Sequence, residues 1–333
     1  MAGRSMATQI AQLQKEVTQG TPVTDAMMRP LSLRLVPGVN VEGGESFTAA
    51  GANAPTAYIP GDEWGTWSVD GVQDYNTLGL IAASTMGSAT TTAVVGATGA
   101  YEHVFTPAAF GEDDVATYTA QFGDGTIGIQ GSQFTFQQLG ISVQRGTLGL
   151  TSNAISRQLD FDATLATTGV TNIPAVPIHS TKYDVYADDA WDDLGTSKLL
   201  ACYQFDVTMP DKFVPDAPIN SAVNGFESLI VAADRESTVS ITLGLDATAT
   251  DMIGSFRTGA LKFFRLEVLG GTIDGTATYK FTRDLAVQIT SVGEVAAQSG
   301  SNVVTVPLTG TIIIDPTSDK YEELTLVNTV ASY

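Results

Sequence analysis

The chain has 333 residues, a formal net charge of −20 and a sequence pI near 4.2, with 43% hydrophobic and only 16% charged residues. That length accommodates two domains of ordinary size, each able to bury a core, and the apolar content excludes a disordered chain. No basic cluster offsets the acids, which argues against an ordinary nucleic-acid binder, and no long apolar run provides a membrane span.

Residues 1–19 are polar, with no apolar segment of the signal-peptide kind, so the expectation is a chain made in a reducing cytosol. They read as a polar arm, with a strand or short helix at 8–17 that Gly20-Thr21-Pro22 breaks. Residues 31–36 alternate with period two, as a half-buried strand does. Pro37-Gly38 then opens a polar excursion to Glu63, long enough to form its own hairpin. Strand alternation returns at 64–69. Residues 74–86 read as a helix, with Asp74 capping its start, Gly87 ending it, and Leu78, Ile81 and Met86 on one face. After a low-complexity stretch at 88–100, strands are predicted at 101–106, 116–122, 133–143 and 147–159. A connector with Pro174 and Pro177 fills 161–180. Further strands are predicted at 183–186, 205–209, 226–231, 238–243, 263–269, 278–290 and 303–314, with a second helix from Asp246 to Gly259.

The order of elements is written twice. Gly20-Thr21 recurs as Gly195-Thr196, and Leu31, Leu33 and Leu35 before Pro37 recur as Phe205, Val207 and Met209 before Pro210. Trp67-x-Val69 recurs as Val239-x-Ile241, the segment from Asp74 to Gly87 as Asp246 to Gly259, and Phe134-x-Phe136 as Tyr279-x-Phe281. The second copy lacks most of an insertion at 88–114. Such a period is far too long for a solenoid and points to two related units. The predicted fold is all-β: two tandem β-sandwich domains, each with one short flanking helix, at 1–160 and 183–333 with a connector at 161–182.

Motifs for chemistry are sparse. His103 and His179 sit in unlike contexts with no ligand partner at metal spacing. The only cysteine, Cys202, lies in a strand pattern and reads as a core residue. Gly123-x-Gly125-x-x-Gly128 matches a dinucleotide fingerprint in letters alone, because strand patterns flank it on both sides; it reads as a turn. Glu112-Asp113-Asp114 and Asp188-Asp189 with Asp192-Asp193 lack the spacing of a calcium loop and read as solvated acids. Trp64, Trp67 and Trp191 would suit a sugar platform, but alternation puts the first two on opposite faces. The expectation is therefore no enzyme, no cofactor and no metal.

The segment from Lys15 to Thr24, with its acidic residue, polar pair and Gly-Thr before a Pro-containing turn, resembles the opening of major tail tube proteins of long, non-contractile-tailed bacteriophages. The Trp-x-Val strand, the Asp-capped helix ending in Gly, Ala116-Thr117-Tyr118-Thr119, and Trp191-Asp192-Asp193-Leu194-Gly195-Thr196 fit the same pattern in the same order. The resemblance implies a structural virion protein whose tube domains close six to a ring, with rings stacking into the tail tube that conducts the genome. With two domains per chain, a trimer is favoured over a hexamer. Partners implied are other copies of the chain and the tape-measure, terminator and distal tail proteins, with DNA passing through unbound. The place implied is the virion tail, after synthesis in the host cytoplasm. The loops at 39–63 and 211–225 would reach the next ring, with Phe47, Tyr58, Ile59, Phe213, Val214 and Ile219 as contact candidates, and surplus carboxylates would line the channel. The alternative is a carbohydrate- or receptor-binding β-sandwich of a virion or cell surface.

Overall fold

The computed structural model describes residues 9–111, 113–124, 126–218, 225–232, 236–297 and 303–333. The protein is all-β, with 52% of residues in strands and 8% helical. The predicted strands are present, with two revisions. The expected strand at 133–143 is broken into Gly128–Phe136 and Gly140–Gln144, and the segment at 278–290 extends to Ala277–Val292. Gln133, at φ 51°, marks a bulge where the first of these departs from its neighbour Tyr118–Gly123. The excursion after Pro37 forms its own hairpin, Glu45–Phe47 against Ala57–Ile59.

The pairing plan repeats. In the first half Leu33–Glu42 pairs with Asp62–Gly71, which pairs with Thr147–Ser156. That strand also pairs with Gly128–Phe136, which pairs with Tyr118–Gly123, which pairs in turn with Ile10–Lys15. The second half repeats these ladders. Cys202–Thr208 pairs with Thr238–Gly244, which pairs with Val304–Ile312, then Ala277–Val292, Leu261–Asp274 and Tyr183–Asp188. Even the side ladders agree: Asp160–Ala163 adds to Gly128–Phe136 as Glu322–Asn328 adds to Ala277–Val292.

The register revises the sequence alignment. Leu35 lies opposite Val69 and Phe205 opposite Ile241. Since Val69 and Ile241 are matched by the Trp67-x-Val69 and Val239-x-Ile241 repeat, Leu35 corresponds to Phe205, not to Met209. Short apolar alternations match themselves at every second residue, so sequence alone cannot fix their phase.

The two helices differ. The second, α2 (Ala247–Thr258), is as predicted: Asp246 accepts the Ala249 amide at 2.9 Å, and Gly259 at φ 71° ends it. Its buried residues are Ala249, Met252 and Ser255, one stripe on a helix that otherwise faces solvent. The first, α1 (Leu78–Thr85), is shorter than the expected 74–86 and every residue is buried, so it does not flank a sheet. Asp74 caps the turn before it, accepting the Asn76 and Thr77 amides, while its other oxygen accepts the Val176 amide from the connector. The ring of Tyr333 lies over Gly79, where any side chain would collide with it. The Tyr333 hydroxyl donates to the Asn76 carbonyl at 2.7 Å, and its own carbonyl accepts from Lys15.

One continuous apolar cluster holds residues of both halves, among them Leu13, Leu35, Trp67 and Phe134 with Phe205, Ile241, Phe264 and Phe281. The repeat therefore resides in topology, while the core runs through the junction. The connector is stitched to the first half as well, with Thr171–Ile173 parallel to Met28–Pro30. Of the expected N-terminal arm, Ile10–Lys15 is a sheet strand within the chain, and residues 1–8 lie outside the described residues.

Candidate assembly surface

The repeated Gly-Thr motif is a built turn. Glu16 is buried and accepts the Gly20 amide at 2.7 Å, the Gln133 amide at 2.8 Å, and the hydroxyls of Thr117 and Thr119. Asp188, also buried, accepts the amides of Gly195, Thr196 and Ser197. Gly20 and Gly195 both have positive φ, 75° and 97°, which lets the chain fold back onto each carboxylate. Burial pushes the Glu16 carboxyl above its usual range, and the four donors pull it part of the way back.

The halves meet along a shared sheet. Gly140–Gln144 of the first half pairs antiparallel with Cys202–Thr208 of the second, with Val143 opposite Phe205 and Ser142 opposite Asp206. The Ser142 hydroxyl donates to Asp206 at 2.5 Å. Arg283, fully buried, donates to buried Glu322 at 2.7 Å and to the Leu139 carbonyl at 3.1 Å, fastening the second half just before that strand begins. Lys212, also buried, donates to the Thr85 carbonyl at the end of α1 at 2.5 Å and pairs with Asp113 at 2.5 Å.

The two long hairpins have opposite fates. The second, Phe213–Asp216 with Ser228–Val231, is seated on the first half. Phe226 is fully buried against Trp64 and Ile155, Arg157 donates to the Glu227 carbonyl, and Phe213 is 4% exposed. Phe213 thus belongs to the chain's own packing and is not available as a contact between rings. Val214 remains exposed, and Ile219 lies outside the described residues. The first hairpin is bare: Phe47, Tyr58 and Ile59 are 64–65% exposed. A groove of about 560 Å³ separates the seated hairpin from strand Asp62–Gly71.

The remaining sequence candidates fall into structural places. Trp67 is in the main core against Phe134, and Trp64 lies beneath Phe226, so neither offers a stacking face. Trp191 packs edge-on against Phe263. Asp189 and Asp251 both pair with Lys262. Among the described residues no group of three or more His, Cys, Asp or Glu is placed to hold a metal; Glu112 lies outside them. Gly123 and Gly128 lie opposite each other at the facing ends of Tyr118–Gly123 and Gly128–Phe136, with Asp124 accepting the Thr126 and Ile127 amides; Gly125 lies outside the described residues. His103 is buried between the Thr91 hydroxyl and the Val330 carbonyl, and burial holds its pKa down, favouring the neutral ring. Burial pushes the Cys202 thiol up to about 12, which leaves it unreactive.

The sequence does not mark the junction strand Gly140–Gln144, which runs on in pattern from the strand before it, nor strands Thr90–Ala93 and Glu322–Asn328, the latter carrying the buried Glu322. No residue pattern distinguishes a strand that pairs within its own repeat from one that crosses to the next. Compared with known proteins, the chain matches no family model and no curated sequence.

Proposed function

We propose that this chain is a structural protein that assembles with copies of itself into rings and stacked tubes, as a phage tail tube protein does. The observation that carries the reading is the edge-to-edge junction of two like-paired halves, where the ladder of Gly140–Gln144 on Cys202–Thr208 runs one sheet into the next. Repetition of that junction around an axis would cover the equivalent sheet edge of every half, the condition under which a β-rich chain forms a closed ring and not an open aggregate. Treating each half as one tube-domain equivalent, six equivalents come from three chains. The bare tip of Phe47, Tyr58 and Ile59 supplies apolar area for contact with a further copy.

On this reading the chain is non-catalytic, resides in a virion tail and meets other tail proteins only at the tube's ends. Its charge of −20 suits a conduit for DNA, because a lumen rich in carboxylates repels phosphates where a basic one would hold them. The test is direct. Purified protein, concentrated and viewed by negative-stain electron microscopy, shows rings or hollow tubes of uniform diameter, and mass measurement of the ring returns three chains. A chain that stays a monomeric globule at every concentration, by sedimentation and by microscopy, refutes the reading.

A further inference from the structure

Each half carries the same sheet edge, and only one of the two is covered. Cys202–Thr208 has Thr238–Gly244 on one side and Gly140–Gln144 on the other. Its counterpart Leu33–Glu42 has Asp62–Gly71 on one side and, among the described residues, no ladder on the other. The covering strand also has a counterpart. Gly140–Gln144 forms a hairpin with Thr147–Ser156, as Ala296–Ala297 does with Val304–Ile312. Among the described residues Ala296–Ala297 pairs with nothing else, and Val295, Val303 and Val304 beside it are exposed. Among the described residues the first half thus leaves this edge open as an acceptor, and the second half leaves the matching strand open as a donor.

We propose that strand Ala296–Ala297 of a second copy adds to the open edge of Leu33–Glu42, in the register that joins the two halves within one chain. The inference rests on the self-assembly reading and specifies its contact. The register follows from the ladders. Ser152 lies opposite Val69 and Leu308 opposite Ile241, so these two residues correspond. Four residues earlier Leu148 corresponds to Val304, whose hairpin partners are Val143 and Ala297. Within the chain Val143 faces Phe205 and Ser142 faces Asp206. Phe205 corresponds to Leu35, and Asp206 to Val36. The contact between copies therefore sets Ala297 opposite Leu35 and Ala296 opposite Val36.

The residue types suit that contact. Where Ser142 and Asp206 share a hydrogen bond, the copies would bring together Ala296 and half-buried Val36, which leave no polar group unpaired. Pro37, one residue further, has no amide hydrogen and ends the ladder there, which penalises longer pairings out of register. The bare hairpin lies on the loop leaving this same open strand. Its counterpart, leaving Cys202–Thr208, is the hairpin already seated on the other half through Phe226. The edge and the hairpin both lack what the other half of a neighbouring copy would supply. Such a contact is heterologous, one surface meeting a different one, and closes only as a ring.

The test uses disulfide trapping in the full chain with Cys202→Ser, which removes the only native thiol. One protein carries Val36→Cys, another Ala296→Cys, and the two are mixed, so that any heterodimeric cross-link is intermolecular. A control mixture pairs Ala296→Cys with Val41→Cys, an exposed residue of the same strand about 16 Å away along it. Under mild oxidation the 36–296 mixture is expected to give at least about tenfold more cross-linked chains than the control. Rings or tubes that form normally, yet give no 36–296 cross-link or one equal to the control, overturn this contact and leave the tube reading standing. Proteins that remain monomeric throughout overturn both.

Discussion

Arg283 and Glu322 form a buried ion pair at the junction of the two halves, and its removal can be worked through from the geometry. Arg283 is 0% exposed and Glu322 1% exposed, and the guanidinium also serves the Leu139 carbonyl. Replacing Arg283 with Met keeps most of the volume but strands a buried carboxylate, a loss of about 3–5 kcal/mol. For 333 residues, an unfolding entropy of about 2.1 cal/mol/K per residue gives roughly 0.7 kcal/mol per degree, so the melting temperature falls by about 4–7 °C. Adding Glu322→Leu removes the stranded charge. What then remains is chiefly the Leu139 carbonyl without its donor, about 1–2 kcal/mol. Calorimetry and urea titration of unassembled protein should therefore rank wild type first, the double variant second and Arg283→Met last. A single variant that loses under about 1 kcal/mol, or a double variant no better than the single, would refute the view that burial of an unpaired charge sets the energetics here.

Three further outcomes follow from other parts of the molecule. Gly79→Ala, which in an exposed helix gains about 1 kcal/mol, should destabilise this protein, because the added carbon would sit 2.2 Å from the Tyr333 ring; a raised melting temperature would show that the ring is not held there. Because burial raises the Glu16 carboxyl, its protonation favours the folded chain: that contribution is complete below the unfolded value of about 4.3 and is lost as pH rises through the folded value. His103, held neutral, acts oppositely and loses its contribution as pH falls below about 6.5. Melting curves of wild type and Glu16→Gln between pH 7 and 4 isolate the first effect, and parallel pH profiles would contradict it. Changing Phe47, Tyr58 and Ile59 together to Ser should shift the monomer's melting temperature by no more than about 1–2 °C, since all three are exposed. The same change should raise the protein concentration needed for tubes at least about a hundredfold, given the apolar area each contact buries; unchanged assembly by light scattering would exclude the hairpin from the contact.

The sequence by itself determined the all-β class, most strand positions and α2, because these follow from local rules. Alternation of apolar residues sets strand faces, and Asp246 and Gly259 mark a helix whose apolar stripe spans one side. It also carried the repeat of order and the two Gly-Thr turns, but not the role of Asp188, which reads as a solvated acid and is instead buried beneath the second turn. Tertiary structure decided what depends on neighbours distant in the chain. The segment from Asp74 to Gly87 reads like its repeat from Asp246 to Gly259, yet α1 is enclosed by Tyr333 and the insertion while α2 faces solvent; only the uncharged run Leu78–Thr85 hinted at the difference. The phase of Leu31, Leu33 and Leu35 against Phe205 and Val207 came from ladder register, since a period of two is satisfied by many alignments. Whether a hairpin lies bare, as Phe47 does, or seated, as Phe226 is, depends on which half has a neighbour within the same chain, and a repeat read along one dimension holds no record of that.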